Sequence, residues 1–322
     1  MDEVLIGTVL ASTLRVSVPL ILAAMAGVLC ERSGVIDLGL EGKMLMTAFA
    51  TASVGVASGS LPLALAASLA VGVALSMLHG YACVSHRGDQ VVLGVAITMT
   101  AAGLTVVLGI AWFGLGGQTP PVPDTVRLHG HFGAAGAVVA QVPLVGQAIA
   151  LALFGHNWMV YGSVLTVALV WWLLYRTRFG LRLRAAGENP AMVDAAGVSV
   201  KALRYQALAL NGGLSALAGS YLVLAQNPSF IPHMTAGRGY MALAALIFGK
   251  WHPLGALLAC LLFGFLDAVS IRLQGVSVPG IGAVPVQAIQ ALPYVLTVVL
   301  LAGFIGRAVA PAALGRPYVK ER

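Results

Sequence analysis

Charge is what this sequence has least of. Only 9% of its 322 residues are Asp, Glu, Lys or Arg, while 59% are hydrophobic, far more than one soluble core can bury. Most of that apolar surface must face lipid, in keeping with a mean hydropathy of +0.93. Short alternating strands are missing, which excludes a membrane barrel. Cysteine is scarce: Cys30, Cys83 and Cys260 sit far apart in apolar surroundings, without metal-site or disulfide spacing, and read as packing residues. No secretory leader is visible, because the start, MDEVLIGTVL, is acidic where a leader is basic and no small-residue cleavage site follows. That stretch reads as the protein's own first helix. HExxH, GxSxG and paired CxxC motifs are all lacking and the seven histidines are scattered, so neither a metal centre nor an intramembrane enzyme is supported. GxxxxGK[ST] is also missing, so active transport by this chain would need ATP hydrolysis on a partner.

What the sequence does have is a series of uncharged runs near the ~20 residues that cross a hydrocarbon core. They predict an all-α, polytopic transmembrane helical bundle, a single domain over 1–322, with about nine spans. These are drawn at 4–30, 43–59, 61–84, 90–112, 157–175, 205–225, 235–250, 252–273 and 285–305. The short seventh stretch is a candidate for a broken or re-entrant helix.

The net charge of +7 does not point to nucleic acid, because the basic residues flank the spans. One side collects Arg32, Lys43, Arg87, Arg176, Arg178, Arg182, Arg184, Lys201, Arg204, Lys250, Arg307, Arg316, Lys320 and Arg322, 14 of the 18 Lys and Arg. Arg15, Arg127, Arg238 and Arg272 lie on the other side or within spans. The bias predicts a cytoplasmic C-terminus, and an odd number of crossings then puts the N-terminus outside. The Gly- and Pro-rich segment 113–156 becomes an extracytoplasmic loop with a short interfacial helix, and 176–204 a cytoplasmic loop.

Small residues recur at four-residue spacing, Gly72, Ser76 and Gly80, then Gly212, Ala216 and Ser220, a pattern that lets helices approach closely in lipid. In the 176–204 loop, Asn189 followed by Pro190 has the form of a helix start, and AMVDAAG gives about two turns before Gly197 ends them. A short helix between basic flanks suits a lever for a partner protein. A basic loop resting on anionic headgroups is the alternative. The stretch ERSGVIDLGLEGKMLM places Glu31, Asp37, Glu41 and Lys43 among Gly34, Gly39 and Gly42, as in a broken helix facing a cavity. Interfacial ion pairs, Glu31 with Arg32 or Glu41 with Lys43, account for these charges equally well. Asp37, Glu41, Thr98, Asn211, Arg238 and Asp267 are the candidates for a translocation path. Asp267 could instead satisfy Arg272 or Arg238.

Several segments together resemble one family, the permease subunits of ABC importers of the nucleoside and simple-sugar type, related to ribose and branched-chain amino acid permeases. They are ERSGVIDLGLEG at 31–42, GENPAMVDAAGVSV at 187–200, MTAGRGYMALAALIFGKWHPLGALLACLLFGFLDA at 234–268 and LPYVLTVVLLAGFIGR at 292–307. The stretch MTAGRGYMALAALIFGKWHP and the closing PAALGRPYVKE look most like the nucleoside branch. The resemblance implies that Gly187, Glu188, Asn189, Pro190, Asp194 and Gly197 form a coupling helix seated in a groove of a separate ABC ATP-binding subunit. It also implies a second, related permease and an extracytoplasmic substrate-binding lipoprotein as partners, with membrane lipid around the bundle. ATP and Mg would be bound by the partner subunit, with no cofactor in this chain. The expected place is the bacterial cytoplasmic (inner) membrane. Relatives in the ribose branch begin with an additional helix for which this sequence shows no counterpart, which bears on the helix count. The competing reading is a stand-alone channel or ion-driven secondary transporter, which would place more ionisable residues deep in its spans.

Overall fold

The computed structural model describes residues 2–142, 146–273, 277–278, 282–283, 291, 295, 299 and 308–320. The chain starts with α1 (Asp2–Arg32), which at 31 residues is about 46 Å long and more than crosses a hydrocarbon core. A break follows, then α2 (Leu40–Ser58), α3 (Leu61–Gly80), extended by a π-helical turn over Tyr81–Ser85, and α4 (Gln90–Phe113). Two short helices, α5 (Gly133–Val139) and α6 (Gly146–Leu153), lie in the long loop, where one was expected. Then come α7 (Trp158–Arg176), α8 (Arg178–Glu188), α9 (Pro190–Ala195) and α10 (Val200–Tyr221), which also ends in a π-helical turn, Leu222–Gln226. The series closes with α11 (Arg238–Phe248), α12 (Pro253–Leu273) and a two-residue antiparallel pair, β1 (Ser277–Val278) with β2 (Gly282–Ala283).

The helix boundaries follow from local side-chain chemistry. Asp89 accepts the N–H groups of Val91 and Val92 at 2.9 Å and starts α4, and Asn157 accepts from Val160 N at 3.2 Å and starts α7. At the other ends, Gly59 and Gly114 take left-handed φ of 62° and 67° and stop α2 and α4.

Among the described residues six helices are long and apolar enough to cross a membrane: Val4–Arg32, Leu61–Ser85, Gln90–Phe113, Trp158–Arg176, Val200–Gln226 and Pro253–Leu273. They match six of the nine expected spans. The expected crossing at 43–59 is a helix of 19 residues that opens on Glu41 and Lys43 and is not one of the six. That at 235–250 reduces to 11 residues in α11, about 16 Å and half a hydrocarbon core. The stretch 285–305 lies almost wholly outside the described residues.

α1 and α10 form the centre, whereas α3, α4, α7 and α12 turn apolar side chains outward, among them Leu78, Met99, Val107, Trp172 and Leu258. In lipid such faces carry no penalty. The two small-residue stripes meet each other. A methyl group on Gly72 would run into the Gly212 carbonyl and the Ala216 side chain, and one on Gly212 into the Gly72 carbonyl. Hydroxyls reinforce this seam: Ser68 donates to the Ala216 carbonyl at 3.1 Å, and Ser220 donates to Ser68 at 2.8 Å and lies 3.0 Å from Thr51 on α2. Cys30, Cys83 and Cys260 are buried and unpaired, as packing residues are.

Candidate functional site

The break between α1 and α2 gathers charge in the middle of the bundle. Gly34, with φ of 89°, turns the chain after α1, and Asp37 Oδ1 accepts from Gly39 N at 3.1 Å to set the start of α2. One turn on, Lys43 Nζ sits 2.6 Å from Asp37 Oδ2, and both side chains are fully buried. Lys43 also donates to Asn211 Oδ1 on α10 at 3.0 Å, which in turn accepts from Ser76 Oγ on α3 at 3.1 Å. His79 Nδ1 lies 3.1 Å from Asp37 Oδ1, within ion-pair range but outside hydrogen-bonding alignment. Four elements are thus joined through one carboxylate and one ammonium. Breaking such a pair by removing one partner costs about 3–5 kcal/mol, because the other charge stays buried.

The ion pairs expected from neighbours in sequence do not form. Glu31 accepts from the indole N–H of Trp251, and Arg32 donates Nε to the Trp251 carbonyl at 2.9 Å, so both hold the loop after α11. Lys43 is turned inward to Asp37 and is removed from the set of basic residues at the membrane edge. Glu41 points the other way. It accepts Gly237 N at 2.8 Å and Gly239 N at 2.6 Å, capping the start of α11, where a helix dipole favours a carboxylate.

The six path candidates therefore divide. Asp37 and Asn211 share one network, and Thr98 adjoins it, donating to Gly94 O at 3.1 Å and reaching the Leu38 carbonyl at 3.5 Å. Glu41, Arg238 and Asp267 belong to the α11 side: Arg238 is the first residue of α11 and donates Nη1 to Met234 O at 3.3 Å, and Asp267 lies on α12, which packs against α11. Asp37, Glu41 and Asn211 are buried, while Thr98, Arg238 and Asp267 are half-buried. Lys43 and His79 were missed as members of the central network. Both had a signal, being ionisable residues inside apolar stretches.

The 176–204 loop forms the helices its sequence encodes. Thr177 accepts from Gly180 N at 3.1 Å and starts α8, and Asn189 accepts from Met192 N at 3.2 Å and starts α9, with Pro190 at its first position. Gly197, at φ of 80°, ends that short run, and Ser199 accepts from Ala202 N at 3.2 Å to begin α10. Glu188 closes α8 and is not part of the six-residue α9, which corrects its expected place on one helix with Asp194. Val193 anchors α9 inward, whereas Met192 is 68% exposed and Leu181 of α8 62%. With Ala185, Asn189 and Ala196 these two line an apolar hollow of about 470 Å³ between the helices.

The tail 308–320 straps this loop to the break. Ala313 N donates to Gly187 O at 2.8 Å, Ala312 N to Glu188 Oε2 at 3.2 Å, and Gly315 N to Gly34 O at 3.1 Å. Lys320 lies 3.5 Å from Asp194. Gly187 packs against the Arg32 backbone so closely that a methyl group there would strike its carbonyl. Among the described residues no group of three or more His, Cys, Asp or Glu side chains could hold a metal ion.

Comparison with known proteins gives a consistent answer. The family profile described as branched-chain amino acid transport system / permease component matches residues 9–306. The guanosine ABC transporter permease protein NupQ of Bacillus subtilis is 37% identical over 327 residues, covering 99% of this chain and 98% of that protein. The nucleoside ABC transporter permease protein NupC of Lactococcus lactis is 33% identical over 323 residues, covering 98% and 97%. A shorter match, 38% identical over 104 residues, or 32% of this chain and 30% of that protein, is to the autoinducer 2 import system permease protein LsrC of Escherichia coli.

Proposed function

We infer the function from one premise: this chain belongs to the family of branched-chain amino acid transport system permease components. It is a multi-pass membrane protein and the permease subunit of an ABC importer. We propose that its cargo is a nucleoside. The observation that carries this is similarity over nearly the whole chain to permeases named for guanosine and for nucleosides.

In this reading 1–322 is one permease domain, 176–204 faces the cytoplasm and 113–156 the outside, and the membrane is the bacterial inner membrane. The bias of Lys and Arg supports that orientation. The hollow beside Met192 and Leu181 suits docking of an ATP-binding subunit, which would hold ATP and Mg, with Gly187, Glu188, Asn189, Pro190, Asp194 and Gly197 shaping the coupling segment. A second, related permease and an extracytoplasmic binding lipoprotein complete the assembly. Closed off as they are, Asp37, Glu41 and Asn211 frame the path, while Thr98, Arg238 and Asp267 are left to line it.

The experiment is uptake into proteoliposomes holding this chain with the permease, ATPase and binding protein encoded beside it, offered guanosine, adenosine, ribose and glucose. ATP-dependent uptake of nucleosides ahead of the sugars is expected. Sugar uptake without nucleoside uptake would refute the cargo. Solute moved down its gradient by this chain alone, without an ATPase, would refute the importer.

A further inference from the structure

A cavity of about 420 Å³ opens beside the tail, between the end of α3, the end of α9 and the start of α10. Its wall carries four cations, Arg87, Lys201, Arg204 and Lys320, against one carboxylate, Asp194. That carboxylate already lies 3.5 Å from Lys320. No ion pair forms with Arg87, Lys201 or Arg204 among the described residues.

Arg204 is the unusual member, at 1% exposure. Its Nε reaches the Ser33 carbonyl at 3.3 Å and its Nη1 the Arg316 carbonyl at 3.2 Å, both neutral acceptors, and its Nη2 has no partner. A guanidinium does not shed its proton, so this is a buried positive charge without a counter-charge, the arrangement proteins avoid most strongly. One further feature favours an anion. The α10 N-terminus, Ser199 to Lys201, lines the same cavity, and helix N-termini stabilise negative charge.

We propose that this cavity binds a phosphate-bearing anion, either an anionic lipid headgroup or a free phosphate ester, through Arg87, Lys201 and Arg204. The volume suits a phosphate with a small polar group attached. Because Asp194 of α9 and Lys320 of the tail share the wall, an occupant also draws Lys320 away from Asp194 and changes how the tail holds α9. That second effect rests on α9 being the docking helix, but the binding does not, so the test reads binding alone.

The purified assembly is placed in nanodiscs of phosphatidylcholine, or of phosphatidylcholine and phosphatidylglycerol in equal parts. Retained lipid is read by native mass spectrometry, and glycerol 3-phosphate binding to the phosphatidylcholine discs by calorimetry. The expected result is one saturable phosphate ligand. Replacing both exposed cations, Arg87→Gln with Lys201→Gln, weakens it about tenfold or more, and Arg204→Gln abolishes it. If Arg204→Gln does not fold, the exposed pair alone decides. Retained phosphatidylglycerol identifies a lipid and calorimetric heat a soluble ester, and either supports the site. Neither signal from the wild type, or equal binding by the exposed-pair variant, overturns it.

Discussion

The break after α1 and the loop after α7 are both glycine-bearing interruptions between long helices, yet their polar groups end in opposite states. At the break, Asp37, Lys43 and Asn211 are fully buried, with Lys43 bonded to both of the others. In the loop, capping side chains satisfy the backbone, while Met192 and Leu181 stand uncovered. Charge that must live in a low-dielectric interior is best spent on fixing geometry, whereas an apolar face left in water is spare binding energy. The first region holds shape and the second leaves an apolar face uncovered.

The sharpest way to break the contrast is Lys43→Met, which leaves Asp37 buried and uncompensated. The expected loss is about 3–5 kcal/mol, seen as a collapse in thermal stability of the detergent-purified chain. Adding Asp37→Asn to it should recover much of that loss. In the same measurement Asp37→Asn is expected to cost more than Glu41→Gln, because glutamine can still accept one of the two N–H groups at the head of α11.

Met192→Glu should do the reverse, leaving stability unchanged while lowering ATP-driven uptake and ATPase co-purification about tenfold or more. A stability loss equal to that of Lys43→Met would erase the distinction between the two regions. Asn189→Ala removes the cap of α9 and should cost about 1 kcal/mol, detected as faster hydrogen exchange confined to 189–196. The exposed pair of Asp194 and Lys320 is worth less: Lys320→Gln should shift stability by about 0.5 kcal/mol or less and fade further in salt.

Acid offers the mildest test. Burial holds His156, in the loop before α7, below the usual imidazole value. The unfolded chain therefore takes up the proton first, and the stabilisation is complete above about pH 6.5 and declines as pH falls below it. His156→Gln should flatten that decline, measured by exchange in the 128–160 segment between neutral and acid pH.

Local chemistry was legible and distant partnership was not. Asn189, Pro190 and Gly197 encode α9 within nine residues, and the two small-residue stripes announce a close helix contact whose partners the fold then supplies. By contrast, Lys43 meets Asn211 across 168 positions, and Glu41 caps a helix 196 positions away. Sequence spacing offered each a nearer partner, Lys43 with Glu41 and Glu31 with Arg32, which only the packing of α10 and α11 displaces. The tail was visible only as a family likeness, since nothing in APAALGRPYVK marks Gly187 and Gly34 as its acceptors.

The strap from Ala312 to Lys320 also imposes an order on biosynthesis. Its hydrogen bonds to Gly187, Glu188 and Gly34 involve residues made after every described helix, so the loop is already threaded through the membrane when they emerge from the ribosome. The contacts that secure this loop are thus made last. A nascent chain stalled before Ala312 would lack the strap's hydrogen bonds to Gly187, Glu188 and Gly34 and so leave this loop unsecured.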